Sequence, residues 1–387
     1  MKNLETLIQE LCPDGVEFVK LGDCCSFKRG TTITAKNAIP GDVPVLAGGQ
    51  KPAYYHNEAN RTGETIVVAG SGAYAGFVSY WTIPVFLSDS FSVEPDDRLV
   101  VKFVYYFLKN IQQKIFATKK GSGVPHVHGS SIEKFEIPLP PIEVQTEIVR
   151  ILDKFTSLEA ELEAELDCRK RQYEYYRDKL LSFENVGGQE VKWKKMSEVC
   201  KNICSGGTPL TSKAEYYDGN IPWLRTQEVD YCEIHSTLRN ITQLGLDNSS
   251  AKMIPANCVI VAMYGSTAAK VAINKIPLCT NQACCNLEID EDKALVRYVY
   301  QWICKQYEVL KAMGEGSQHN INAQKVKDFK IPIPSLEEQH RIVSILDRFE
   351  SLTTSLQSGL PAEIVARRQQ YEHNRDKLLT FKRKGAA

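Results

Sequence analysis

The chain repeats itself, and that repeat limits what it can fold into. The match lies at an offset of about 175 to 198 residues, and self-similarity on that scale means one folding unit used twice. Phe135-Glu-Ile-Pro-Leu-Pro-Pro-Ile-Glu-Val-Gln145 aligns with Phe329-Lys-Ile-Pro-Ile-Pro-Ser-Leu-Glu-Glu-Gln339. Ile148-Val-Arg-Ile-Leu-Asp153 then aligns with Ile342-Val-Ser-Ile-Leu-Asp347, and Tyr173-Glu-Tyr-Tyr-Arg-Asp-Lys-Leu-Leu181 with Tyr371-Glu-His-Asn-Arg-Asp-Lys-Leu-Leu379. Fainter echoes precede both copies. Val101-Lys-Phe-Val-Tyr-Tyr-Phe-Leu108 matches Val296-Arg-Tyr-Val-Tyr-Gln-Trp-Ile303, and Gly41-Asp-Val-Pro-Val-Leu46 matches Gly219-Asn-Ile-Pro-Trp-Leu224.

The well-matched block of each half reads as one long helix. Pro140 and Pro141 stand where proline is tolerated, before and at a first helical turn. Residues 142–183 contain neither Pro nor Gly. Ile148, Leu152, Phe155, Leu158, Leu162, Tyr173 and Leu180 recur at helical steps, with acidic residues between them. At 1.5 Å per residue such a helix spans roughly 60 Å. A narrow apolar stripe of that length needs a partner, and the second copy supplies Ile342, Leu346, Phe349, Leu352, Tyr371 and Leu378. The second copy carries four extra residues around Ser358-Gly-Leu-Pro361, the length of a stutter, and Gly359 and Pro361 predict a local kink there.

The blocks before these helices read as mixed α and β. Residues 65–69 and 259–263 are β-rich runs ending in Gly/Ser turns, and residues 101–110 and 296–306 look helical. The expected fold class is α+β, with two compact domains, each followed by a long helix, in an internal repeat. The boundaries read as domain 1 over 1–140, a spacer helix over 141–183, domain 2 over 184–334 and a second spacer helix over 335–387.

Composition and motifs argue against several functions. Gly70-Ser-Gly72 and Gly265-Ser-Thr267 lack the Walker lysine and the GxGxxG spacing of nucleotide cradles. No GxSxG or Ser/His/Asp set recurs in both halves. His126 and His128 correspond to Asn320 and Asn322 in the second copy, an exchange a catalytic base would not tolerate. The twelve cysteines include no CxxC pair, which predicts buried thiols and no metal site. No apolar run is long enough for a bilayer, and the N-terminus lacks the apolar core of a secretory signal, so a cytoplasmic location is expected. Lys and Arg number 47, as do Asp and Glu, which argues against a chain that coats DNA by charge alone.

A nucleic-acid reading therefore rests on polar, donor-rich loops in the two variable blocks. In the first block the candidates are Lys28, Arg29, Tyr54, Tyr55, Ser71, Tyr74, Lys119, Lys120 and Ser122. The second offers Arg225, Tyr264, Ser266, Lys270, Ser317, His319 and Asn320. Each such segment alone is equally a solvated surface loop.

With these motifs in view, the chain strongly resembles the specificity subunits of type I restriction-modification systems over essentially its whole length. Leu11-Cys-Pro-Asp-Gly-Val-Glu-Phe18 and Ser358-Gly-Leu-Pro-Ala-Glu363 add to the likeness. The resemblance implies two target-recognition domains separated by two long antiparallel helices in a coiled-coil spacer, related by an internal pseudo-twofold repeat. It implies double-stranded DNA with a split target sequence as ligand, each domain reading one half and the helices fixing the gap. It implies two modification subunits and restriction subunits as partners. S-adenosylmethionine, ATP and Mg2+ would belong to those partners, leaving this chain without cofactor or catalysis. Two other readings stay open at this point: a specificity subunit for a fused methyltransferase-nuclease, and a coiled-coil scaffold with two domains for non-DNA ligands.

Overall fold

Pro138 and Pro332 cannot donate to a sheet, so they are confined to strands with a free edge. Both sit in two-stranded antiparallel ribbons. The first pairs β1 (Glu17–Lys20) with the ninth strand of its half (Glu136–Leu139), setting Phe18 opposite Pro138. The second pairs Lys192–Lys195 with Lys330–Ile333, setting Trp193 opposite Pro332. A computed structural model of the chain describes residues 4–121, 123–183, 191–315, 320–354 and 359–385. It packs as two units, one made of residues 1–163 with 363–387 and the other of residues 164–362.

In the first unit the ribbon strand β1 is followed by β2 (Cys25–Arg29), β3 (Val43–Leu46), β4 (Tyr54–His56), β5 (Thr65–Ala69), β6 (Val78–Trp81), β7 (Phe86–Leu87) and β8 (Ser90–Pro95), with β9 (Glu136–Leu139) closing the ribbon. They form an antiparallel sheet in the order β2-β8-β5-β6 and a smaller sheet β4-β3-β7, in which β3 and β7 run parallel. The helices are α1 (Leu4–Leu11), α2 (Val101–Asn110), α3 (Gln112–Phe116), α4 (Gly129–Ile132) and α5 (Ile142–Leu180).

The second unit repeats this plan with one more strand in each sheet. Its strands are β10 (Lys192–Lys195), β11 (Cys200–Ser205), β12 (Tyr217–Leu224), β13 (Cys232–Ile234), β14 (Asn240–Ile241), β15 (Met253–Ile254), β16 (Val259–Ala262), β17 (Val271–Asn274), β18 (Leu278–Thr280), β19 (Cys284–Ile289) and β20 (Lys330–Ile333). The sheets run β11-β19-β16-β17-β13 and β14-β12-β18-β15, with β12 and β18 parallel as β3 and β7 are. The helices α6 (Gln243–Asp247), α7 (Val296–Lys305), α8 (Tyr307–Ala312), α9 (Ala323–Asp328), α10 (Leu336–Thr354) and α11 (Leu360–Leu378) complete the chain.

Helix α5 is expected from its sequence and runs unbroken for 39 residues. The division between the two units falls along it: residues up to 163 belong to the first unit and those from 164 to the second, while residues of α11 from 363 onward join the first unit. Arg368 of α11 bonds Glu159 at 2.7 Å and Glu163 at 3.2 Å, while Tyr371 and Leu378, further along, pack on the cluster holding Leu152 and Ile148. The two helices are therefore antiparallel there. In the second unit Tyr176 stacks on Phe349 with ring centroids 5.3 Å apart. The residues after α11 return to the start of the chain, Val16 N–H donating to the Lys382 carbonyl at 2.9 Å.

The apolar stripe divides differently from the expectation of one continuous pairing seam. Ile148, Leu152, Ile342 and Leu346 are fully buried in the domain cores, so no partner chain can touch them. Tyr173 and Leu180 pack on the second core, and Phe155, Leu158, Leu162 and Phe349 are half-buried. Leu352 is exposed. Of the residues expected to kink the helix, Gly359 lies just before α11 and Pro361 is its second residue, while Ser358 lies outside the described residues.

What fixes each domain on its helix is a buried glutamine. Gln145 Oε1 accepts from Val100 N–H at 2.8 Å, and its Nε2 donates to the Arg98 and Pro140 carbonyls at 2.9 and 2.8 Å. Gln339 repeats the pattern with Leu295 N–H at 2.9 Å and the Lys293 and Pro334 carbonyls at 3.3 and 3.0 Å. Val100 and Leu295 are the residues preceding α2 and α7, where a helix start leaves N–H groups without partners. One amide thus ties the start of α2 or α7 to the start of α5 or α10. Two turns later Asp153 accepts from Lys102 and Tyr106, and Asp347 from Arg297. We expect Gln145→Ala to leave these buried groups unsatisfied and to destabilise the first domain by roughly 2–4 kcal/mol, with Gln339→Ala doing the same to the second. Denaturant unfolding of each variant measures this, and a change within error of wild type would disprove the clamp.

Candidate nucleic-acid interface

The carboxyl ends of the central strands bring the candidate loops to one edge of each domain. That gathering depends on two glycines. A Cβ on Gly30 would lie 2.2 Å from the Leu87 carbonyl oxygen, and one on Gly206 would lie 1.9 Å from that of Thr280. Only glycine lets the end of β2 or β11 pass so close to β7 or β18. The following N–H groups, Thr31 and Gly207, donate to those same carbonyls at 2.9 Å.

In the first domain, the turn after β5 meets the β7–β8 turn, where Gly70 N–H donates to the Asp89 carbonyl and the Ser71 hydroxyl to its carboxylate. Arg29, mostly exposed, stands 3.8 Å from Asp89. A hairpin pairs Lys120 with His126 and docks on the same turn, Gly72 N–H donating to Pro125. Arg29, Ser71, Tyr74, Lys119 and Lys120 therefore share one edge. A cavity of about 190 Å³ opens there between Phe27, Arg29, Phe91 and the stacked rings of His126 and His128. Tyr54 has a structural tie, its hydroxyl donating to the Ile33 carbonyl at 2.6 Å, while Tyr55 is exposed. Ser122 lies outside the described residues.

The second domain repeats the edge. Asn281 N–H donates to Leu224 at 2.9 Å, the Thr208 hydroxyl to Gln282, and the Thr267 hydroxyl to Thr226 at 2.8 Å. Asn320 Oδ1 accepts from Gly265 N–H at 3.2 Å, so this amide shapes the turn that presents Tyr264 and Ser266. Ser317 and His319 lie outside the described residues.

Several expected contacts are already engaged. Lys28 forms an ion pair with Glu94, which Arg61 and Ser92 also face. Lys119 donates to the Ala73 carbonyl at 3.2 Å and lies over the Phe116 ring. Lys270 bonds Asp230 at 2.6 Å and lies over Tyr231. Arg225 faces Glu228 across 3.8 Å, and its Nε is buried without a hydrogen-bond partner. Asp89, Asp218 and Arg239 were not singled out from the sequence, since they are isolated residues outside any motif and only the fold brings them to the edge.

Burial pushes the Cys200 and Cys285 thiols up to about 12, far from the reactive thiolate. Among the described residues no group of three His, Cys, Asp or Glu could hold a metal ion, and no helix is long and apolar enough to cross a membrane.

The model of the type I restriction modification DNA specificity domain matches the chain twice, over residues 13–167 and 189–366. The chain belongs to the type I specificity family. It is similar to the specificity subunit of the type I restriction enzyme EcoR124I/EcoR124II of Escherichia coli, 35% identical over 98% of this chain and 97% of that protein. A putative type I specificity subunit of Haemophilus influenzae is 28% identical over 98% of this chain and the whole of its own length. In fold the chain is similar to the type I S subunit from M. genitalium, with a TM-score of 0.62 at 18% identity over 94% of this chain and 96% of that one. The two matched segments each begin just before a ribbon strand and run into the helix that follows the domain, so the family's repeated unit includes the glutamine clamp.

Arg29 and Lys28 separate two roles that adjacent residues can play. Burial alone would raise Glu94, but hydrogen bonds from Lys28 and Ser92 and the charges of Lys28 and Arg61 outweigh it and hold the carboxyl below its ordinary value. Stability from such a depressed pKa is present above the ordinary value and is lost as pH falls through the lowered one. Lys28→Ala should therefore cost at most about 1 kcal/mol at pH 7, because the pair is half-exposed. The deficit should close as acid protonates Glu94. Arg29→Ala should leave stability unchanged and weaken DNA binding by the complex. Unfolding curves across pH, with DNA titrations at pH 7, distinguish the two, and a stability loss from Arg29→Ala equal to that of Lys28→Ala would contradict the assignment.

Proposed function

We infer that this chain is the DNA-recognition subunit of a type I restriction-modification complex, reading a bipartite target with its two domains and directing partner subunits to it. Family membership over both halves carries this reading. The duplicated edge of exposed donors, one per domain, supports it, because two similar readers on one scaffold suit a split sequence. Methylation and cleavage belong to the modification and restriction subunits, with S-adenosylmethionine, ATP and Mg2+ bound there. Two modification subunits would match the two copies of the repeated helix, and the complex would work in the cytoplasm.

Selection from a pool of randomised duplexes by the chain together with its modification partner tests the reading. A split sequence with two half-sites is the expected result, and a pool that stays random would defeat it. Replacing residues 16–134 with the corresponding block of another specificity subunit should change one half-site and leave the other. Deleting residues 358–361 should alter the gap and neither half-site. Four helical residues rise about 6 Å, close to two base-pair steps. A deletion that keeps the gap but loses a half-site would show that the helices are not the ruler.

A further inference from the structure

The second domain has a cavity of about 380 Å³ beside its loop edge, lined by Tyr217, Asp218, Trp223, Arg225 and Arg239. Its walls are held from several sides. The Trp223 indole donates to the Gly207 carbonyl at 3.0 Å, and the Tyr217 hydroxyl to that of Pro209 at 2.5 Å. The two rings meet edge-on at 5.9 Å, and the Arg239 guanidinium lies 5.5 Å above Tyr217. Arg225 follows Leu224, the last residue of β12, and so stands next to the turn at the end of β18.

We propose that Arg225 reads a guanine in the half-site recognised by the second domain, with this cavity holding its guanidinium fork against the edge of the base pair. Three observations carry the assignment. First, two other cations of this edge are bonded, Lys270 to Asp230 and Lys213 to the Tyr216 hydroxyl. Arg225 instead presents a recessed guanidinium whose Nε is buried without a hydrogen-bond partner, 3.8 Å from Glu228. Second, its surroundings suit a base better than a phosphate. Glu228 stands 3.8 Å from the guanidinium and Asp218 lines the same cavity, so carboxylates offset part of the charge that Arg225 and Arg239 bring to it. A guanine offers neutral O6 and N7 acceptors to an arginine fork, and a paired cytosine offers an N4 donor to a carboxylate. Third, the two copies part company at this position. Leu46 and Leu224 are buried equivalents, but the next residue is Ala47 in one domain and Arg225 in the other. A residue needed by the shared scaffold would recur, whereas one that selects a base would differ between domains reading different half-sites.

The proposal rests on the DNA-recognition reading, and one experiment separates the two. Purified complex of the full chain with its modification subunits is used to select from randomised duplexes, comparing wild type with Arg225→Ala and Arg225→Lys. Wild type should enrich a G at one position of one half-site, and both variants should lose roughly 5- to 150-fold discrimination there while every other position holds. Lysine keeps the charge but not the fork, so it fails to rescue a bidentate contact. If Arg225→Lys restores binding and Arg225→Ala weakens all duplexes uniformly, Arg225 is a phosphate contact and the proposal is wrong. It is equally wrong if both variants keep every base preference. A wild-type complex that enriches no split sequence would instead overturn the function itself. Matching thermal melting curves for the three proteins exclude misfolding as the cause of a lost preference.

Discussion

A buried amide determines how each recognition domain meets its helix. Gln145 and Gln339 are both fully enclosed, and each satisfies one N–H and two carbonyls that would otherwise be stranded at the junction of two helix starts. Buried polar groups without partners are expensive, so the junction has one good geometry and few cheap alternatives. The carboxylates two turns on add direction: Asp153 takes Lys102 and Tyr106, while Asp347 and Glu350 grip Arg297. Because the amide and the carboxylate sit on one helix face, the domain is held at two points and cannot swivel about either.

The duplicated chain serves as its own control, since one backbone plan has been filled twice with different side chains. Positions that agree lie along the ribbons, the helix starts and the clamp, where burial and hydrogen-bond satisfaction leave little choice. The positions that disagree lie on the loop edge. His126 pairs through its backbone with Ser71 and Lys120, while Asn320, at the matching place, uses its side chain to cap Gly265. Val45 and Trp223 stand at equivalent strand positions, yet only the tryptophan spans across to the neighbouring loop. Each recognition surface is thus free to vary as long as the strands beneath it keep their glycine-mediated approach.

Much of this organisation could be read from residues alone, because its signals are local. An unbroken helical period without Pro or Gly announces α5, and β-branched runs ending in glycine announce β5 and β16. The clamp was visible as a repeated glutamine but not as a clamp, since its partners Arg98 and Val100 lie in a segment distant in sequence. Lys28, Lys119 and Lys270 looked like free donors because nothing in the sequence pairs them with Glu94, Ala73 or Asp230. Ile148 and Leu152 fitted a helix-pairing stripe equally well as a domain core, and helical periodicity cannot tell those two burials apart. Contacts across long sequence separations decide such questions, and only the fold supplies them.

The same internal pairing bears on how a neutral chain can serve DNA. Affinity for a duplex comes largely from neutralised phosphates, and many cations of this chain already face acids of its own: Lys28 with Glu94, Lys102 with Asp153, Arg297 with Asp347, and Arg368 with Glu159. Those pairs hold domains to helices and strands to each other, so they cannot also grip the backbone of a target. What remains at the loop edge is a small set of donors, enough to discriminate bases but poor in charge. A chain built this way has little free charge of its own to offer phosphates. The duplicated clamp suits such a chain, since recognition through a few donors depends on each edge being held steady on its helix.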